Sequence, residues 1–239
     1  MNKTAQLALS VQLPDDEIFD SYLSESNSAV VSQLSLFVEN TLLSSSKQPN
    51  CFYLFGLSGV GKSHLLHSAS AYASQLGKTS VCLSCAELLQ LSVEVLDGLE
   101  SIDFICLDDI QLIANNELWQ QAIFDLYNRV LEQNNSLLIS GDQSAVQLGL
   151  TLPDLVSRLS WGLTEQLKPL NDIEKISALQ YRASKRGLML SDDAAAFLLN
   201  RLSRAMTNLI DSLDVLDKAS IREQRKITIP FIKDILNIA

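Results

Sequence analysis

Apolar residues along this chain follow two alternating spacings. Short apolar runs occur at Cys51-Phe-Tyr-Leu-Phe55, Thr79 to Leu83, Ile102 to Leu107, Ser136 to Ser140 and Gly162 to Leu167. Each is bounded by turn-forming residues, which predicts buried strands. Between them the apolar positions take the helical spacing. Such stretches run from His64 to Leu76, closed by Gly77, through two short pieces over 85–98, from Glu117 to Gln133, and over 152–159 with Pro153 in the first turn. Upstream, Val30, Val31, Leu34, Phe37, Val38 and Leu42 mark another helix from Ala29 to Leu43. Strands alternating with helices predict a parallel sheet covered on both faces.

After Lys168-Pro169 the strand pattern stops. Helical spacing continues over 172–186, 192–203, 205–221 and 230–237, with Gly187 closing the first and Pro230 opening the last. The pattern predicts three units: a polar, flexible arm over 1–27, an α/β domain over 28–169, and a small all-helical domain over 170–239. The loop Ser44 to Asn50 separates the first helix from the first strand.

Chemistry enters at the end of the first strand. Gly56-Leu-Ser-Gly-Val-Gly-Lys62-Ser63 matches the phosphate-binding pattern G-x-x-x-x-G-K-[ST], with a strand before it and a helix after it. Glycines let the backbone turn its N–H groups toward phosphate oxygens, and the helix start adds partial positive charge there. Gly56, Ser58, Gly59, Val60, Gly61, Lys62, Ser63 and His64 are the candidate nucleotide-binding residues. Lys62 would reach the β/γ-phosphates, and Ser63 would hold Mg²⁺. The strand Phe104-Ile-Cys-Leu ends in Asp108-Asp109. Asp108 is the candidate Mg²⁺ carboxylate, and Asp109 a candidate for orienting a hydrolytic water. Asp142 ends the next strand beside the expected γ-phosphate position.

Composition narrows the classes. The 239 residues carry a net charge of −10, which argues against a protein that coats DNA by broad electrostatics. Residues 1–184 hold 9 basic and 21 acidic residues, whereas 185–239 hold 9 and 7, so any nucleic-acid contact is expected in the C-terminal part. No apolar run is long enough to span a bilayer and no signal pattern opens the chain, which predicts a cytoplasmic protein without membrane contact. Cys82 and Cys85 have C-x-x-C spacing without a second pair. Cys82 falls in an apolar strand, so both are expected in the core. His64 and His67, three apart on a helix, lack a third ligand in view and are expected to pack or face solvent.

Asp108-Asp109-Ile-Gln, Ser140-Gly-Asp142 and Ser157-Arg158-Leu-Ser-Trp-Gly-Leu-Thr together resemble the boxes of the AAA+ region of the bacterial initiator DnaA. Leu13-Pro-Asp-Asp, His64-Leu-Leu-His, Leu152-Pro-Asp-Leu and Lys226-Ile-Thr-Ile-Pro-Phe extend the resemblance over nearly the whole chain. Within that group it is most similar to the DnaA-related regulators that inactivate the initiator. The resemblance implies an AAA+ P-loop fold with a helical lid and a bound ADP or other nucleotide with Mg²⁺. It implies self-association, DnaA and the replicase's sliding clamp as partners, and contact with DNA that is weak or indirect. It also implies that Arg158 acts as an arginine finger on DnaA's ATP. In the arm, Gln6-Leu7-Ala8-Leu9 resembles the clamp-binding pattern, with Ser10 where Pro or Phe is frequent. Thr207 stands where DnaA carries its lid arginine, with Arg204 one turn away. That departure implies action in the ADP-bound form, with weak or no ATPase activity of its own. The alternative is a helicase loader or initiator running its own ATP cycle.

Overall fold

The computed structural model describes residues 17–40, 50–202 and 204–238. The clamp-like motif Gln6, Leu7, Leu9 therefore lies outside the described residues. Five strands, β1 (Cys51–Phe55), β2 (Ser80–Ser84), β3 (Phe104–Asp108), β4 (Ser136–Gly141) and β5 (Leu163–Gln166), form one parallel sheet in the order β2-β3-β4-β1-β5. α1 (Ser28–Asn40) precedes β1, and α2 (Lys62–Gln75), α3 (Cys85–Leu88), α4 (Glu117–Glu132) and α5 (Pro153–Trp161) run between the strands. The expected strand-helix alternation is present, with boundaries shifted by one or two residues; the end of the first helix, expected at Leu43, falls on residues 41–43, outside the described residues.

The sheet is buried on both faces, as its apolar runs require. Along β1 the side chains alternate. Cys51 and Tyr53 join the core under α4 and α5, whereas Phe52 and Leu54 join the core under α1 and α2. All four are fully buried, and each large one contributes about 1.5–3 kcal/mol by leaving water. Phe37 of α1 meets Phe52 edge-on at 5.5 Å between centroids. Among the described residues, no helix is long and apolar enough to cross a membrane.

Beyond the sheet come α6 (Asp172–Lys185), α7 (Asp192–Arg201), α8 (Met206–Glu223) and α9 (Ile229–Leu236). They share a separate core that includes Leu179, Leu198, Leu209, Leu213, Leu216 and Phe231. Asn171 and Glu174 form a capping box at the start of α6.

The described part of the expected arm, residues 17–27, is pinned to both halves of the molecule. Tyr22 Oη donates to the Val60 carbonyl at 2.8 Å. Asn27 is fully buried, donates to Lys168 O at 2.9 Å, and accepts from Lys168 N at 2.8 Å. Glu174 Oε1 accepts from Ser24 Oγ at 3.0 Å and Glu25 N at 2.8 Å. The segment is thus a strap joining the phosphate loop to the helical unit. Its polar residues satisfy buried donors and acceptors that its few apolar residues could not.

Candidate nucleotide site

The loop between β1 and α2 is built by packing as well as by glycine freedom. A Cβ on Gly56 would lie 2.8 Å from the Leu167 carbonyl oxygen. Gly61 has φ +95°, and a Cβ there would lie 2.6 Å from the Tyr22 ring. Only glycine meets both demands at position 61. Gly61 is the N-cap of α2, so the helix's first N–H groups open toward the loop. Lys62 is buried, and its Nζ donates to Gly56 O at 2.9 Å and Leu57 O at 3.3 Å.

A cavity of about 360 Å³ opens over this loop. Ser58, Gly59, Val60, Gly61, Lys62, Ser63 and His64 form its floor. Glu17, Ser21, Tyr22 and Leu23 of the strap form one wall, and Arg182, Met206, Thr207 and Asp211 of α6 and α8 form another. The volume lies in the range of small-molecule and cofactor sites. The phosphate loop, the strap and the lid therefore enclose one space.

Of the carboxylates expected here, Asp109 lines the cavity, whereas Asp108 and Asp142 do not. Asp108 ends β3 and accepts a short hydrogen bond from Ser140 Oγ. The same Ser140 Oγ accepts from Asp109 N at 2.9 Å. Asp109 takes the left-handed conformation, φ 59°, which turns the chain sharply just past the C-terminal end of β3. Gln111 Nε2 steadies its carboxylate at 3.0 Å. Asp142, beyond β4, is half-buried near Tyr53, whose phenol its charge helps to raise after burial. Among the described residues no three His, Cys, Asp or Glu cluster as a metal cage.

The wall contains a network that the sequence does not announce. Arg182, nearly buried, donates to Glu17 Oε1 at 3.1 Å and to His64 Nδ1 at 3.1 Å. That contact leaves the His64 proton on Nε2, which faces Ile18 O at 3.2 Å and Ser21 Oγ at 2.9 Å. Glu17 Oε2 makes a short hydrogen bond with His67 Nδ1. Burial raises the Glu17 carboxyl, but the hydrogen bond and charge of His67 and the Arg182 hydrogen bond outweigh it and hold it below its ordinary value. The histidines expected simply to pack or face solvent are therefore tied to the strap and the lid. Arg204 pairs with Asp172 at 3.4 Å on the exposed surface and is absent from the cavity wall. The cation in the wall is Arg182, which lies 165 positions from Glu17 and carries no local signal.

Arg158 lies near the end of α5, away from the cavity wall. Its guanidinium sits 5.9 Å from the Tyr127 ring centroid and 6.0 Å from that of Trp161, which is 74% exposed.

Comparison with known proteins gives this arrangement a family. The bacterial DnaA ATPase-domain profile matches residues 13–166, and the Hda lid-domain profile matches 172–236. The chain belongs to the Hda-like, DnaA-related AAA+ family. Domain III of DnaA from Thermotoga maritima superposes with a TM-score of 0.78 at 18% identity, over 95% of this chain and 98% of that one. AMPPCP-bound DnaA from Aquifex aeolicus gives 0.71 at 20% identity, over 89% and 69%. The Thermotoga maritima RuvB branch migration motor gives 0.67 at 17%, over 94% and 72%. These likenesses establish the AAA+ fold with its helical lid. The family membership implies nucleotide binding and a part in regulating replication.

Proposed function

We propose that this protein is a nucleotide-bound regulator of replication initiation that stimulates hydrolysis of DnaA-bound ATP in concert with the DNA-loaded sliding clamp. The observation that supports it most is the placement of Arg158. It lies outside the cavity of its own chain, forms no ion pair with a described residue, and is shelved on two rings, those of Tyr127 and the exposed Trp161. A cation held in this way is suited to a phosphate on another molecule. There its planar charge would stabilise the transition state, an effect worth on the order of 10³–10⁵ in rate for such fingers.

The chain's own nucleotide is a structural cofactor in this reading, supplying phosphates that bind the loop to the lid. The loop's N–H groups and Lys62 would hold those phosphates, with Ser63 and His64 at the helix start. Ser63, Asp108 and Asp109 offer the hard oxygen donors that Mg²⁺ takes, and Asp109 faces the cavity. Asp142 would act from the neighbouring strand end. Thr207 in the lid wall brings no charge to the γ-phosphate, in keeping with action in the ADP form. The division at 1–27, 28–169 and 170–239 belongs to the same proposal, with the arm carrying Gln6, Leu7 and Leu9 to the clamp and copies of the chain self-associating.

The test is ATP hydrolysis on DnaA with clamp-loaded DNA. Arg158→Ala is expected to keep ADP binding and thermal stability and to lose stimulation by on the order of 10³. Arg158→Lys is expected to be nearly as poor, because an ammonium lacks the fork that bridges two oxygens. Full stimulation by Arg158→Ala would overturn the proposal.

A further inference from the structure

Arg158 and Trp161 stand one turn apart on α5, the last helix before β5. Residues three apart on a helix share a face, which brings indole and guanidinium together. The guanidinium carbon lies 6.0 Å from the Trp161 ring centroid and 5.9 Å from that of Tyr127. The two rings differ in support. Tyr127 of α4 is buried in one core with Leu155 and Leu159 of α5, and its Oη donates to the Arg158 carbonyl at 3.3 Å. It therefore fixes the backbone at residue 158 as well as one side of the side chain. Trp161 is largely exposed and ends the helix. Its backbone is fixed all the same. A Cβ on the next residue, Gly162, would lie 2.5 Å from the Cys51 carbonyl oxygen of β1, so the chain runs tight against the sheet directly after the indole.

We propose that Trp161 is a positioning residue for Arg158: with the Tyr127 ring it holds the guanidinium aimed at the phosphate of a nucleotide on the partner molecule. This role rests on the arginine-finger reading above. An arginine side chain carries many rotamers, and one that must meet a phosphate on another molecule acts fastest when its fork is already aimed. A carboxylate could hold the guanidinium, but it would occupy the N–H donors and offset the charge. Two rings hold it through their faces and leave all five donors for phosphate oxygens. Docking of the partner removes water from the exposed indole, and the cation–ring attraction strengthens as the pair is desolvated.

The experiment follows hydrolysis of DnaA-bound ATP with clamp-loaded DNA against rising concentrations of the full chain. Trp161→Ala is expected to lower the plateau rate about five- to thirtyfold, with the half-saturating concentration within about twofold of wild type. Trp161→Phe, which keeps a ring, is expected to recover most of the plateau. Trp161→Leu, apolar but without a ring, is expected to stay as low as Trp161→Ala. Added to Arg158→Ala, the Trp161→Ala change is expected to have no further effect, because the group it positions is gone. In the free chain, the NMR order parameter of the Arg158 Nε–H is expected to fall in Trp161→Ala and to return in Trp161→Phe. Tm and ADP binding are expected to stay at wild-type values throughout. An unchanged plateau in Trp161→Ala, where Arg158→Ala loses stimulation, would overturn the positioning role alone. So would a full plateau reached only at higher concentration, which marks a docking contact, or Trp161→Leu performing as well as Trp161→Phe. Full stimulation by Arg158→Ala would overturn the finger reading and this role with it.

Discussion

Replacing Glu174 should uncouple the strap from the lid. Its carboxylate accepts from Ser24 Oγ, Glu25 N and Ser26 N on one oxygen, and from Asn171 N at 2.8 Å on the other. Two of these contacts are backbone N–H donors at 2.8 Å, and hydrogen bonds to a charged group contribute about 1.5–3 kcal/mol each. Glu174→Ala is therefore expected to cost about 2–4 kcal/mol, since water replaces part of what is lost. In a chain of this size that lowers Tm by roughly 5–15 °C. Glu174→Gln should cost less, because one oxygen stays and an NH₂ meets an N–H at the other position. Burial raises the carboxyl, but the Asn171 backbone bond, Ser24, and the backbone of Ser26 and Glu25 outweigh it and keep it below its ordinary value. The stabilisation is thus present above the unfolded value near 4.3 and is lost as pH falls through the folded value. Thermal melts of wild type and Glu174→Gln at pH 7 and pH 3.5 check this, with the gap between them closing at the lower pH. A Tm unchanged in Glu174→Ala at pH 7, or a Glu174→Gln deficit equal at both pH values, would refute the reasoning.

Other perturbations test other parts. Lys62→Ala is expected to abolish ADP binding, removing the roughly 5–10 °C rise in Tm that ligand at 100 times its Kd gives the wild type by adding about 2.7 kcal/mol; a preserved rise in a melting assay contradicts the loop's role. Alanine at Gln6, Leu7 and Leu9 together should eliminate clamp binding in surface plasmon resonance while leaving Tm unchanged. Phe37→Ala, at a side chain 3% exposed against Phe52 and Phe104, is expected to cost about 3–5 kcal/mol in urea unfolding, and a loss under 1 kcal/mol would show that the α1 face is loosely packed.

Strands, helices and the phosphate loop were legible because each rests on local rules. The apolar runs, Gly77 closing α2, Pro153 opening α5 and the fixed glycines act within a few residues of themselves. The chemistry of residues 56–63 follows from the same short span, and so does the alternation that separates sheet from helical unit. The tertiary structure decided what surrounds the loop. Glu17 meets Arg182 across 165 positions, and Ser24 meets Glu174 across 150, and neither pair leaves a period or spacing in the chain. The strap reads as a polar arm because its residues bond to distant partners and bury little apolar surface. Arg204 looked like the nearest cation to the missing lid arginine because it is near in sequence, yet the fold turns it to Asp172 and presents Arg182 from another helix. Cys82, on an apolar strand, packs against the core under α2 yet stays partly exposed, because β2 occupies the edge of the sheet, and strand order is set by how the helices pack over the faces. Periodicity assigns elements to a face, whereas the partners that a polar side chain finds depend on which elements the packed chain brings beside it.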